Sequence, residues 1–289
     1  MNTYRQILVH VSDSDRSPHV LAFATALATA QGARLRAVHG VTVLYGGAYL
    51  TAESAMISAS FDADLERQRV AKAQERVLDA ARMSGLDIDF ESPGGDPVEA
   101  LVAQSRVADL VIVGQPSSDD AQGASRHFAS QLLVSAGCPV LFVPAAGRIA
   151  SCGTRALVAW SNTRESARAL RDALPLLQRA ATVEVLRVGA APAGAPEPLD
   201  GVVAYLRAQG VSATATVTAV RQMGFAERML TPAVVDAPVA ELLLSHAADM
   251  NADLLVMGGY GHTRAHELVL GGVTRTLLAS MTVPALMSH

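Results

Sequence analysis

Ala108-Asp109-Leu110-Val111-Ile112-Val113-Gly114 returns almost unchanged later in the chain as Ala252-Asp253-Leu254-Leu255-Val256-Met257-Gly258. Each copy is a short continuous apolar run closed by glycine, the pattern of a strand buried on both faces of a parallel sheet. Recurrence of such a unit within 289 residues predicts two copies of one fold in tandem.

The agreement extends outward in both directions. Upstream, Gln6-Ile-Leu-Val-His-Val-Ser12-Asp-Ser14 matches Arg155-Ala-Leu-Val-Ala-Trp-Ser161-Asn-Thr163, an apolar run that ends in residues suited to capping a helix. Ala/Leu-rich helices follow over Pro18 to Ala30 and Arg164 to Arg179, then second strands over Ala33–His39 and Thr182–Val188. Helices are expected near Asp62–Ser84 and Leu199–Gln209, and third strands near Asp87–Glu91 and Ser212–Val217. Asp96-Pro97 and Ala237-Pro238 place proline in the first turn of a helix, where its missing N–H is no loss. Each half closes with a Leu-Leu pair in a helix and a proline that opens a last strand: Leu132-Leu133 to Pro139, and Leu277-Leu278 to Pro284. The segment Tyr45 to Phe61 reads as a long connection, a lid or a pocket wall.

Alternating strands and helices make the fold class α/β: two tandem Rossmann-like domains, residues 1–146 and 147–289, each a five-stranded parallel sheet with helices on both faces. The hydrophobic half of the composition is enough for one large core or two separate ones. In such sheets ligands lie beyond the carboxyl ends of the strands, where the strand order reverses.

Composition excludes several functions. Net charge is −4 and Lys72 is the only lysine, so no basic stripe is present for nucleic acid. No apolar stretch is long enough to span a bilayer, and the N-terminus lacks an apolar leader, so a soluble cytoplasmic protein with no membrane partner is expected. Cys138 and Cys152 lack ligand spacing and read as free thiols. Arg plus Lys against Asp plus Glu is 11 to 16 over residues 1–146 and 12 to 11 over 147–289, which makes the second half the better host for a polyanion.

The second half also has the motif for one. Gly258, Gly261 and Gly271 follow its fourth strand with the spacing G-x-x-G-x9-G. Glycines allow consecutive amides to turn inward as an anion nest, and Gly271-Gly272-Val273-Thr274 opens a helix whose N-terminus favours phosphate. His262 and Arg264 lie where they could reach a phosphate from the loop. A Walker loop is excluded because Lys72 sits in a helical stretch, and the dinucleotide G-x-G-x-x-G fails at Arg264. No nucleophile, base or carboxylate pair stands beside the loop; the nearest acids are Asp253 and Glu267.

With this spacing, the Gly-x-Pro or equivalent helix start and the strand-one Ser/Thr turn, the chain resembles the universal stress protein family in tandem form, over nearly its whole length. The resemblance implies a HUP-type fold and ATP, ADP or AMP as ligand, with Mg²⁺ as its accompanying ion. It places phosphates on the backbone of Met257, Gly258, Gly261 and Gly271 to Thr274, with ribose and adenine near Ala159, Ser161 and Val188. It also implies a pseudo-dimer within the chain, through antiparallel pairing of the last strands, and leaves a further homodimer open.

Two positions depart from the family pattern. Gly272 stands where the family has a hydroxyl, so that contact is lost unless Thr274 supplies it, and Ser161 stands where a carboxylate is common. A stress-response nucleotide binder is therefore expected, with a slow Mg-dependent ATPase and a nucleotide-free scaffold as rivals. The first half lacks the loop: Gln115-Pro116 and Asp119-Asp120 follow Gly114, so this half is not expected to bind ATP. Ser12-Asp13-Ser14-Asp15 is expected to cap the first helix, although it faintly resembles the serine-rich loop of ATP pyrophosphatases; His10, His39 and His127 are a weak candidate metal set.

Overall fold

The computed structural model describes residues 3–12, 14–40, 52–94, 96–116, 126–147, 149, 151–189, 199–218, 232–259 and 272–289. The first half runs β1 (Gln6–His10), α1 (Ser17–Gln31), β2 (Arg34–Val38), α2 (Ala52–Ser84), β3 (Ile88–Glu91), α3 (Pro97–Ser105), β4 (Leu110–Gly114), α4 (Arg126–Ser135) and β5 (Val140–Val143). The second runs β6 (Arg155–Ala159), α5 (Arg164–Asp172), α6 (Leu174–Leu177), β7 (Thr182–Val188), α7 (Leu199–Ala208), β8 (Ala213–Thr218), α8 (Pro232–Asp249), β9 (Leu254–Gly258), α9 (Gly272–Ser280) and β10 (Ala285–Ser288).

Among the described residues, the strands join one ten-stranded sheet in the order β3-β2-β1-β4-β5-β10-β9-β6-β7-β8. Every pairing within a half is parallel, and the halves meet where β5 and β10 run antiparallel, with Leu141 opposite Leu286. The antiparallel pairing of the last strands that the family resemblance implied is thus present within the chain. The order reverses between β1 and β4 in one half and between β6 and β9 in the other. Central strands are apolar and buried, whereas the outer strands β3 and β8 are partly open, with Asp89 exposed on one and Thr214, Ala215 and Val217 on the other.

The core is divided by face of the sheet rather than by half. One apolar layer joins α1 and α2 to α5, α6 and α7; the opposite layer joins α3 and α4 to α8 and α9. The two halves therefore share both layers. The joint is close: a Cβ on Gly259 would stand 2.6 Å from Leu133 Cδ2 across it. The Tyr4 hydroxyl donates to the Asp172 carbonyl (2.7 Å), and Gln115 Nε2 donates to the carbonyls of Leu278 and Ala279 (2.8 and 3.2 Å).

The repeated Asp of the opening motif has a structural role. Asp109 accepts from the backbone N–H groups of Arg5 and Gln6, and Asp253 from those of Gly153, Thr154 and Arg155, tying the start of the fourth strand in each half to the start of the first. Several boundaries differ from expectation. The helix ending at Ser84 begins at Ala52, absorbing much of the segment read as a connection; Tyr45 and the rest of 41–51 lie outside the described residues. The Arg164–Arg179 helix breaks at Ala173, because Pro175 has no N–H to continue the ladder. In the second half, α8 opens at Pro232, so Pro238 falls inside it; two prolines each suited to a first turn could not be separated by spacing.

Candidate functional site

The carboxyl ends of β6, β7 and β9 meet along one edge of the sheet. Ala159 pairs with Met257 on one side and Leu186 on the other, which sets Val188 two residues farther along the same edge. Met257 is buried, while Ala159, Val188 and Gly258 are partly open. Parallel connection from β9 to β10 returns α9 to this edge, so its N-terminal residues Gly272, Val273 and Thr274 face it; Thr274 is buried. Ala159, Ser161, Val188, Met257, Gly258, Gly272, Val273 and Thr274 are thereby brought to one end of the second half. Gly261, His262, Arg264 and Gly271 lie outside the described residues.

Gly258 is required by close packing. A Cβ there would stand 2.5 Å from Ser166 N and 2.6 Å from the Glu165 carbonyl carbon, against the first turn of α5. That turn is tightly closed. Thr163 Oγ1 accepts from Ser166 N–H (3.3 Å) and Ser166 Oγ accepts from Thr163 N–H (3.0 Å), a reciprocal capping box. Ser161 is exposed, and its Oγ lies 3.2 Å from Thr163 Oγ1, so it belongs to the same cap.

The sequence reading missed Glu165. It occupies the first turn of α5 beside Gly258 and is 8% exposed. Burial works to raise its pKa, but hydrogen bonds from its own backbone N–H and the Thr163 hydroxyl, with the neighbouring Arg164 charge, outweigh this and hold it below 4.5. An acid two residues after a predicted cap was the available signal. Asp253, which the sequence offered as a nearby acid, is at the opposite end of the strands and fully engaged by backbone.

The matching end of the first half is built differently. Arg16 caps α1 without any side-chain hydrogen bond, so the expected serine cap is replaced by a local turn in which Ser14 accepts from Arg16 N–H (3.2 Å). Asp13 lies outside the described residues, as do Asp119 and Asp120. Gly114 is looser than Gly258, since a Cβ there would meet only Val20 Cγ2 at 3.3 Å. His10 ends β1 and His39 follows the end of β2, and both are buried; His39 Nδ1 lies 2.7 Å from the Val11 carbonyl, which fits a structural role. The side chain of His127 is not among those described, and no His, Cys, Asp and Glu group among the described residues is placed to hold a metal. Cys138 and Cys152 are unpaired, and burial pushes both thiols up to about 12, so they stay protonated and unreactive.

The family model for the universal stress protein family matches residues 3–144 and again 154–289. The chain belongs to the universal stress protein family. It has the tandem form, and a universal stress protein from Archaeoglobus fulgidus superposes on 98% of this chain and 95% of its own with a TM-score of 0.70 at 15% identity. A second structure, from Pseudomonas aeruginosa, superposes on 99% and 93% with a TM-score of 0.56 at 18% identity. These likenesses fix the fold. In sequence, a universal stress protein of Synechocystis is 37% identical over 76 residues, spanning 24% of this chain and 26% of that relative's length. No described helix is long and apolar enough to cross a membrane.

Proposed function

We propose that this universal stress protein is a cytoplasmic stress-response protein that binds an adenine nucleotide, ATP, ADP or AMP, in a C-terminal domain spanning residues 147–289. The N-terminal domain, residues 1–146, serves as its built-in partner. The supporting observation is the assembly, at one reversal of strand order, of Ala159, Val188 and Gly258 with the helix start Gly272-Val273-Thr274. This is where an open α/β sheet receives a ligand, and a helix N-terminus there favours phosphate.

The residues present fit a nucleotide with one constraint. Glu165, held ionised beside Gly258, repels phosphate on the α5 side and leaves the α9 side for it, where the buried Thr274 stands near the position at which Gly272 lacks a hydroxyl. Adenine and ribose would rest over Ala159 and Val188, with Gly261, Gly271, His262 and Arg264 completing the phosphate loop by motif. Mg²⁺ would arrive with the nucleotide, since Glu165 is a single acid already bonded to Thr163 and Arg164. That donor set suits binding and gives no base for rapid hydrolysis.

The test is calorimetric titration of the full chain with ATP and Mg²⁺, following ADP in the same samples. One nucleotide per chain, lost in Gly261→Asp and without multiple turnover, is the expected outcome. Repeated turnover would favour a slow ATPase, and absence of binding would leave an interaction scaffold.

A further inference from the structure

The helix before the edge strand differs greatly between the halves. In the second half α7 has 10 residues; in the first, α2 has 33. At that length α2 is about 50 Å long, against about 13 Å for the strand β3 that it precedes. Among its described side chains only Ala73 and Val77 are buried, and none is buried from Ala63 to Lys72. Most of the stability of a helix in a protein comes from packing one of its faces, so a stretch this long without a buried side chain calls for a partner.

The outer face of α2 has the spacing for one. Asp64, Gln68, Ala71, Glu75, Leu78 and Arg82 recur at alternating intervals of four and three, the seam of two paired helices, and all are exposed. Ala73 and Val77, which pack into the core, lie on the opposite side of the helix. Leu78 is an apolar side chain 54% exposed on this row, and the small Ala71 near its middle allows a second helix to come close.

The order of charges sets the direction of that second helix. Asp64 is ion-paired with Arg67, and Asp79 with Arg82, an acid three residues before a base at each end of the row. Laid antiparallel on another α2, across a two-fold axis level with Ala73, the row sets Asp64 opposite the second copy's Arg82 and Lys72 opposite its Glu75. Gln68 then faces Leu78. Each end carries charges of alternating sign: Arg67 and Asp64 from one copy, then Arg82 and Asp79 from the other. Such a network contributes more than isolated exposed pairs, and a parallel arrangement would set each charge on its like.

We propose that α2 is an interaction surface for a second copy of this chain, the two helices packing antiparallel along the row from Asp64 to Arg82. A row complementary to its own reverse fits a second copy better than an unrelated partner. The contact lies at the β3 end of the sheet, in the other half from the glycine loop, and does not rest on nucleotide binding.

The test is sedimentation velocity of the full chain at about 200 µM in low salt and again in about 1 M salt. The expected result is a dimer in low salt that dissociates in high salt, because the opposed charges are exposed. Asp64→Arg alone and Arg82→Asp alone each set like charges opposite one another at both ends of the seam. Each should weaken the dimer about tenfold or more, and an equal mixture of the two should restore it, because every end then joins opposite charges. Both side chains are exposed, so the variants should fold as the parent does, which far-UV circular dichroism checks. Gly261→Asp should dimerise like the parent, so that loss of nucleotide binding and loss of the dimer are read apart. A monomer in low salt would overturn the proposal, as would a mixture that fails to recover. A dimer that both single variants leave intact would also overturn it, by placing the contact elsewhere, for instance on the open edge of β8.

Discussion

The N-termini of α1 and α5 occupy equivalent places in the two halves and are finished in opposite ways. At α5, Thr163 and Ser166 close a capping box and Glu165 puts a carboxylate in the first turn, so the helix end is satisfied and repels anions. At α1 no side chain caps the helix, Arg16 stands at the cap, no acid follows, and Ser17 is left without a bond. Across the sheet the asymmetry is reversed, because only the second half has a glycine loop leading to a helix start at Gly272. The two halves share one strand order, and the starts of their first helices are finished differently.

The largest expected effect follows from His10, which stands where the second half has Ala159. Its folded-state pKa of about 3 lies below the unfolded value of 6.5, so below that value the unfolded chain binds a proton that the folded chain does not. Stability should therefore fall as pH drops from 6.5 toward 3, by about 1.4 kcal/mol for each pH unit from this group. Urea unfolding of the parent and His10→Gln at a series of pH values should show the slope reduced in the variant; equal slopes would remove the contrast with Ala159.

The fourth-strand glycines give the next comparison. Gly258→Ala drives a methyl into backbone of α5 and should destabilise by about 1–3 kcal/mol, whereas Gly114→Ala meets only Val20 and should cost less than about 1 kcal/mol. Denaturant midpoints of the two variants decide it, and similar losses would mean that the halves tolerate a side chain equally. Smaller still is the difference between caps. Thr163→Ala should destabilise by about 1 kcal/mol through loss of the capping box, while Ser17→Ala should be neutral or slightly stabilising. Thermal unfolding of both would show whether α1 lacks the cap that α5 has.

The duplication was readable because Ala108–Gly114 and Ala252–Gly258 must serve one structural purpose twice: an Asp that pins the neighbouring strand, an apolar run buried on both faces, and a glycine at the edge. Buried strands leave little freedom in sequence, so periodicity and spacing found them. The shared core was not readable, because burial of an apolar residue says nothing of whose residues bury it. The same limit hid the reason for Gly258, which is required as much by Ser166 and Glu165, more than ninety positions away in the chain, as by any loop geometry. Glu165 was overlooked for a related reason: an acid in a first turn usually answers the helix dipole, and only packing sets it beside the fourth-strand glycine. The Ser12–Asp15 segment was assigned to capping from residue type alone, while the hydroxyl left without a partner is a fact of geometry.

The most direct test of the division between halves is photolabelling of the full chain with 8-azido-ATP, followed by mapping of the modified peptide. Because the azide sits on adenine, the expected label falls on the ends of β6 and β7, within residues 155–189, and is removed by excess ATP. Labelling in the first half, at the ends of β1 or β2, would contradict the assignment of the nucleotide to the glycine-loop half.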